Sequence, residues 1–292
     1  MTAEGIKLYT VSYDDPEALA EYVRATGVEF TMLADVESAV IRRYDVLNTL
    51  VQPEDVPFHG VPFPGFFLLD EDGVIVEKLF NRHFAHRDGI EAILDGFAGH
   101  IVQGDEEPAA VSTEDDGIAV TAFLRGGGGT LRAGPRRRLI VRVEMPPGLH
   151  IYDEPVPSGM VPTSITLDGP DGLRHSPART PATTTLTLPG VPDPLHVWDG
   201  TIDFVMDVWG DSTIGAEIAE GAESMEIDVT IRYQACDDHR CFIPRSRTLT
   251  LEVPLALGAM PNSPRLRGIN GATVPMDWAR HMKRLVDRKS RG

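Results

Sequence analysis

Residues 225–255, MEIDVTIRYQACDDHRCFIPRSRTLTLEVPL, carry two alternating runs on either side of a cysteine pair. Ile227, Val229, Ile231 and Tyr233 share one face of the first run, and Leu249, Leu251, Val253 and Leu255 share one face of the second. A period of two with β-branched and aromatic residues is the pattern of a half-buried strand. The strands 225–235 and 247–255 therefore read as a hairpin with CDDHRCFIP at its tip. A tip is exposed, so both sulfurs are expected to be accessible.

The same pattern extends upstream. RRLIVRVEM, TSITLDG, TTTLTLPG and GTIDFVMDVW are short strand-like runs separated by Gly, Pro or Asp. About seven such strands over residues 118–258 predict an all-β sandwich. Before it, QGDEEPAAVSTEDDG is acidic and weakly periodic, and 105–117 is read as an exposed linker.

Residues 1–104 have a different rhythm. GIKLYTVSY (5–13) reads as a buried strand. A helix follows from Asp14 or Asp15 as cap, with Pro16 in its first turn, to Gly27 as stop. FTML (30–33) suggests a strand and DVESAVIRRYDV (35–46) a second helix capped by Asp35. PGFFLLD and GVIVEKLF, joined by Glu71-Asp72-Gly73, suggest a hairpin. HRDGIEAILDGFAGHI (86–101) suggests a closing helix. Strands alternating with helices predict an α/β layer structure.

The chain has 292 residues and a formal net charge of −17, which excludes wholesale nucleic-acid binding. The charge is uneven: residues 259–292 hold 8 Lys and Arg against 2 Asp and Glu. Within this basic tail, VPMDWARHMKRLV sets Trp278, Met282, Leu285 and Val286 on one face of a short helix, with Arg280, Lys283, Arg284, Arg288 and Lys289 around them. That helix is expected to dock on the acidic body; an anionic membrane surface is the other candidate. No apolar run is long enough to be a transmembrane segment. The first residues show no signal peptide, so the chain as written reads as cytoplasmic.

Cys236 and Cys241 are the chain's two cysteines. As a metal site they supply two ligands, with His239 as a third, where structural zinc takes four. As a staple they close a loop so short that it contributes only about 2 kcal/mol. The third reading is reversible thiol–disulfide exchange. His239 and Arg240 favour a thiolate there, and Asp237 and Asp238 oppose it. No cofactor and no metal is expected.

YQACDDHRCFIP (233–244), PPGLHIYDEPVPSGMVPTSITL (146–167) and VWDG (197–200) resemble segments of the N-terminal, immunoglobulin-like domain of the DsbD family of bacterial thiol–disulfide interchange proteins. The resemblance covers about 118–257. It implies that Cys241 exchanges with a protein partner while Cys236 completes the disulfide. It also implies that His150 and Tyr152 line the site and that Trp198 shields the sulfurs from oxidants. The family continues into a transmembrane domain that supplies its electrons; this sequence shows no such segment, and the reading names no electron donor.

GIKLYTVSYDDPEALAEYVRATGVEF, LADVESAVIRRYDVLN and GVPFPGFFLLDEDGVIVEKLF resemble the later part of a redoxin domain, the thioredoxin-like fold of the peroxiredoxin (AhpC/TSA) family. The first strand and helix of that fold, which carry the family's nucleophilic cysteine, have no counterpart here. The missing strand is a central one, so its absence exposes backbone and apolar surface. An N-terminally shortened sequence is the preferred explanation, over a strand lent by another chain or a closed-up module. With a shortened start and the DsbD resemblance, export or a periplasmic site is expected instead. Pro64, before the FFLLD strand, stands near the position of a cis-proline in thioredoxin-like folds.

The combined expectation is an incomplete α/β thioredoxin-like domain, then an immunoglobulin-like sandwich, then a short C-terminal helix. The expected activity is thiol–disulfide interchange through Cys236 and Cys241. The alternatives are a binding scaffold with a structural disulfide, and a piece of a peroxiredoxin-type antioxidant enzyme.

Overall fold

The structure, a computed structural model, describes residues 7–54, 58–80, 107–113, 117–188, 193–237 and 239–256. It also describes isolated positions between 89 and 101, residue 191, and short pieces beyond 264. The helix expected over 86–101 and the tail helix with Trp278 lie largely outside the described residues. The described chain is mostly β-sheet with few helices, and none of these helices is long and apolar enough to cross a membrane.

In the first part, β1 (Tyr9–Ser12) is followed by α1 (Pro16–Thr26), β2 (Thr31–Ala34) and α2 (Ala39–Arg43). α1 begins where the sequence signals it. The Asp15 carboxylate accepts the Ala18 N–H at 2.8 Å, Pro16 needs no such partner, and Gly27 ends the helix at φ 71°. α2 is shorter than expected, because the Asp35 carboxylate accepts from Ile41 at 2.8 Å and holds the preceding residues in a turn. β1 and β2 pair in parallel, Tyr9 opposite Thr31.

β3 (Gly65–Leu69) and β4 (Ile75–Phe80) form a second, separate two-stranded sheet. Their turn is closed by Asp70, whose carboxylate accepts from Val74 at 2.8 Å. Among the described residues β1 and β3 share no ladder. Tyr9, Val11 and Leu33 remain exposed on one sheet, and Leu69, Ile75 and Val76 on the other. The Phe63–Pro64 bond is trans, which corrects the cis expectation; a tertiary amide still prefers trans unless its surroundings dictate otherwise. Among the described residues the cis bond is Glu154–Pro155.

The second part is built from β5 (Ala109–Thr113), β6 (Ala119–Arg125), β7 (Arg137–Glu144), β8 (His150–Tyr152), β9 (Ser164–Asp168), β10 (Leu173–His175), β11 (Thr184–Leu186), β12 (Leu195–Asp199), β13 (Thr201–Gly210), α3 (Ser212–Glu220), β14 (Ser224–Tyr233), β15 (Ala235–Cys236) and β16 (Arg245–Pro254). They make a five-stranded sheet in the order β10-β13-β7-β6-β5, a four-stranded sheet β11-β12-β8-β15, and a three-stranded sheet β16-β14-β9. In the tail, β17 (Arg265–Arg267) pairs with β18 (Thr273–Pro275).

The stretch expected to be a linker holds β5, paired antiparallel with β6. Acidic flanks mask a small β-forming run, Ala-Ala-Val-Ser-Thr, whose backbone groups the neighbouring strand satisfies. The helix α3 was not legible among strand-like runs. It starts where the Asp211 carboxylate accepts from Thr213 at 2.8 Å, and it sinks Ile214 into the core. A Cβ on Gly172 would lie 2.5 Å from the Ile214 backbone nitrogen, so only glycine admits the helix here.

One core joins the sheets. Val120, Ala122 and Leu124 of β6, Leu139, Val141 and Val143 of β7, and Phe204, Met206 and Val208 of β13 meet Ile227, Val229, Ile231 and Tyr233 of β14 and Leu249, Leu251 and Val253 of β16. Each buried side chain of this size contributes about 1.5–3 kcal/mol. β14 and β16 pair in the register Ile231 opposite Arg247 and Tyr233 opposite Arg245. A one-residue slip would turn every apolar residue of β14 out of the core, which fixes that register.

Arg247 locks it further. Only 4% exposed, it donates from Nη1 to the carbonyls of Ile118 at 2.7 Å and Ser112 at 3.3 Å, and its guanidinium lies 5.3 Å from the Tyr233 ring centroid. Arg247→Ala leaves buried carbonyls unanswered and is expected to lower stability by about 3 kcal/mol. Urea unfolding measures this, and Arg247→Lys should recover only part of the loss.

Candidate functional site

The residues between β14 and β16 change sheets. After Tyr233 the chain leaves the three-stranded sheet, and β15 enters the four-stranded sheet beside β8. Gln234 makes the joint. Its side-chain oxygen accepts from Val161 N–H at 2.9 Å, and its amide nitrogen donates to the Phe242 carbonyl at 3.1 Å.

Beyond this joint the backbone folds back on itself. Phe242 N–H donates to the Ala235 carbonyl at 2.8 Å, and Asp237 N–H to the Arg240 carbonyl at 2.9 Å. Cys236 and Cys241 face each other between these two bonds, an antiparallel pair with Cα atoms 4.0 Å apart. Their sulfurs are joined as a disulfide. The Asp237 carboxylate closes the turn by accepting the N–H groups of His239 and Arg240, each at 2.8 Å. Those two bonds hold its pKa below the ordinary carboxylate range.

The pleat of β8 sorts the neighbours of the pair. His150 lies opposite Asp199 on one side and Cys236 on the other, while Ile151 lies opposite Trp198 and Ala235. Alternation sends these two rows to opposite faces. Ile151, Trp198 and Ala235 belong to the main core. Tyr152, Leu195, Val197 and Cys236 form a second apolar cluster with Val156, Met160 and Leu186 packed against it.

The expected site residues therefore divide. His150 and Tyr152 stand on the face of Cys236. The His150 Nε2 and the Tyr152 hydroxyl are 2.9 Å apart, and that hydroxyl is 3.9 Å from the Cys241 sulfur. Burial pushes the Tyr152 pKa up. Trp198 does not stand beside the sulfurs. It is 3% exposed, packs edge-on against Phe204 at 5.1 Å and donates its indole N–H to the Pro181 carbonyl. Trp198 follows Val197 by one residue, and adjacent strand residues point to opposite faces, so the indole belongs to the face of Ile151 and Ala235.

His239 and Arg240 are exposed in the turn. The Arg240 guanidinium lies 3.6 Å from the Asp237 carboxylate and 4.8 Å from the Phe242 ring centroid, so its charge is spent within the turn. Asp238 lies outside the described residues. Gln234 was not singled out from the sequence, although a glutamine between two strand runs is a recognisable oddity.

The two cysteines differ in access. Cys236 is 1% exposed, whereas Cys241 is exposed and is followed two residues later by Ile243, 80% exposed. The tip thus exposes Cys241 as a residue and buries Cys236 in the second cluster. Among the described residues no three His, Cys, Asp or Glu side chains are grouped to hold a metal ion. Both thiols are engaged in their mutual bond.

Comparison with known proteins bears on both parts. Residues 1–78 match the AhpC/TSA family. No curated protein matches the chain. Similar solved structures include the N-terminal periplasmic domain of ScsB from Proteus mirabilis, at 13% identity and a TM-score of 0.34, over 62% of this chain and 59% of that one. They also include the DsbD N-terminal domain of Neisseria meningitidis in its reduced form, at 11% identity and a TM-score of 0.29, over 51% of this chain and 86% of that one. The chain thus spans about 59% of the length of the ScsB domain. Both families named from the sequence recur in these comparisons.

Trp198→Ala is expected to destabilise the protein by about 3–5 kcal/mol, the usual cost of deleting a buried indole. In native buffer it should leave the rate of disulfide reduction by dithiothreitol unchanged. A large rise in that rate, with the fold intact by circular dichroism, would support the shielding role.

Proposed function

We propose that this chain carries out thiol–disulfide interchange with a protein partner, with Cys241 as the exchanging sulfur and Cys236 as its resolving neighbour. One observation carries the reading: of the two bonded cysteines, Cys241 is an exposed residue and Cys236 is buried against apolar side chains. In this reading the sheets of 118–258 make an immunoglobulin-like sandwich, and residues 1–104 a thioredoxin-like fragment. That fragment contains no cysteine, so the thiol chemistry of this chain rests on the Cys236–Cys241 pair.

Access dictates the order of events. A partner thiolate attacks the Cys241 sulfur, the bond to Cys236 breaks, and its electron pair leaves on the Cys236 sulfur. A second partner thiolate then attacks the partner's own sulfur in the mixed disulfide and releases Cys241 as a thiolate. Two electrons pass to the pair, and the partner leaves oxidised. The opposite direction begins with the Cys241 thiolate on a partner disulfide and ends with Cys236 expelling the reduced partner.

The turn favours such cycling. Gln234, the Asp237 carboxylate and the Phe242–Ala235 backbone bond hold its shape without help from the sulfurs. A staple serves where nothing else holds the chain, and here other bonds do. The scaffold reading therefore has less to stand on.

Equilibration in glutathione buffers with thiol trapping tests this. The expected potential lies above about −300 mV, the region of labile rather than structural disulfides. Cys236→Ser should accumulate mixed disulfides through Cys241, and Cys241→Ser should accumulate far fewer. A bridge that resists reduction under these conditions would return the protein to the class of binding scaffolds.

A further inference from the structure

Within that exchange reading, we propose that Tyr152, oriented by His150, is the hydrogen-bond donor that stabilises the Cys241 thiolate. The assignment follows from counting protons. In the disulfide the Cys241 sulfur carries none, so across the 3.9 Å to the Tyr152 oxygen only the hydroxyl can donate. That hydroxyl has a single proton and two acceptors within reach, the sulfur and an unprotonated His150 Nε2 at 2.9 Å.

The redox state selects between them. A disulfide sulfur is a weak acceptor, so in the oxidised protein the imidazole nitrogen takes the tyrosine proton. Release of Cys241 as a thiolate creates a charged acceptor, and a charge-assisted bond is roughly twice as strong as a neutral one. The tyrosine proton then turns to the sulfur, and His150, having lost its Nδ1 proton to solvent and taken one from solvent on Nε2, donates from Nε2 to the tyrosine oxygen. No heavy atom has to move far. The pair thus contributes stabilisation only when Cys241 is the leaving group or the nucleophile, the moments at which charge sits on its sulfur.

The surroundings fit this role. Burial raises the Tyr152 pKa, so the hydroxyl keeps its proton through the neutral range. From β8 the group facing Tyr152 is His150; from β12 they are Val197 and, opposite His150, Asp199; from β15 it is Cys236. In the turn, Asp237 and Arg240 pair with each other and His239 is exposed. Cys236 is buried in the apolar cluster while Cys241 is exposed and has the tyrosine hydroxyl beside its sulfur, so the two thiols are expected to differ in acidity.

The test uses the full chain with Cys236→Ser, so that only Cys241 titrates. Its pKa is read from thiolate ultraviolet absorbance and from iodoacetamide alkylation rates across pH. Adding Tyr152→Phe should raise the Cys241 pKa by about one unit, roughly tenfold less thiolate at any pH well below it. His150→Leu should give a smaller rise, and His150→Gln, whose amide can still donate to the tyrosine oxygen, should restore most of the original value. An unchanged pKa in Tyr152→Phe overturns the assignment. Should that variant fail to fold, equal pKa values for His150→Leu and His150→Gln do so instead. The outcome is separate from the exchange reading, which stands or falls on the potential of the wild-type pair and needs no tyrosine variant.

Discussion

The pairing of β8 between β12 and β15 is the constraint on which the site depends. His150 and Ile151 are held by ladders on both sides and Tyr152 by the β12 ladder, so the alternation of the three is fixed by backbone bonds rather than by side-chain preference. That fixity sends Ile151 into the main core and its two neighbours to the opposite face. Without it, the tyrosine hydroxyl has no defined distance from the sulfur. The burial of Cys236 has the same origin, because its place opposite His150 puts it over the second cluster.

Two structural devices keep this arrangement in register with the rest of the molecule. The long β14–β16 ladder, ten residues on each side, anchors both ends of the cysteine segment. Gln234 then carries the chain from one sheet to the next while satisfying a backbone group on each flank. A buried amide that bonds in both directions is costly to replace, since either partner left alone is an unsatisfied group in an apolar setting.

Much of this was legible from residue order. The period of two in Ile227–Tyr233 and Leu249–Val253 is strong enough to name strands, faces and pairing. The cysteine pair, His150 and Tyr152 could be singled out by their likeness to a known motif. Trp198 shows where such reading stops. Its neighbourhood was identified, but the parity of the strand there was not, and parity depends on bonds to β8 that leave no mark on VWDG itself. β5 was hidden for another reason: five small β-formers between acidic flanks look like linker until a neighbouring strand satisfies their backbone. α3 was hidden because nine residues after a strand carry too few apolar positions to display a helical period. The helix α1 and the hairpin β3–β4 were legible because their signals are local, a cap, a proline and a turn glycine; the parallel pairing of β1 with β2 was not, and β1, expected to be buried, leaves Tyr9 and Val11 exposed.

The turn that Asp237 closes has a consequence for the thermodynamics of the pair. Oxidation usually restricts a chain, and much of its free energy reflects the disorder that the bond removes. Here carboxylate and backbone bonds that involve no sulfur brace the same segment alongside the disulfide. On the exchange reading, bracing that outlasts reduction leaves less disorder for the bond to remove, and to that degree the pair's potential follows the groups beside its sulfurs more than the folding stability of the sheets around it.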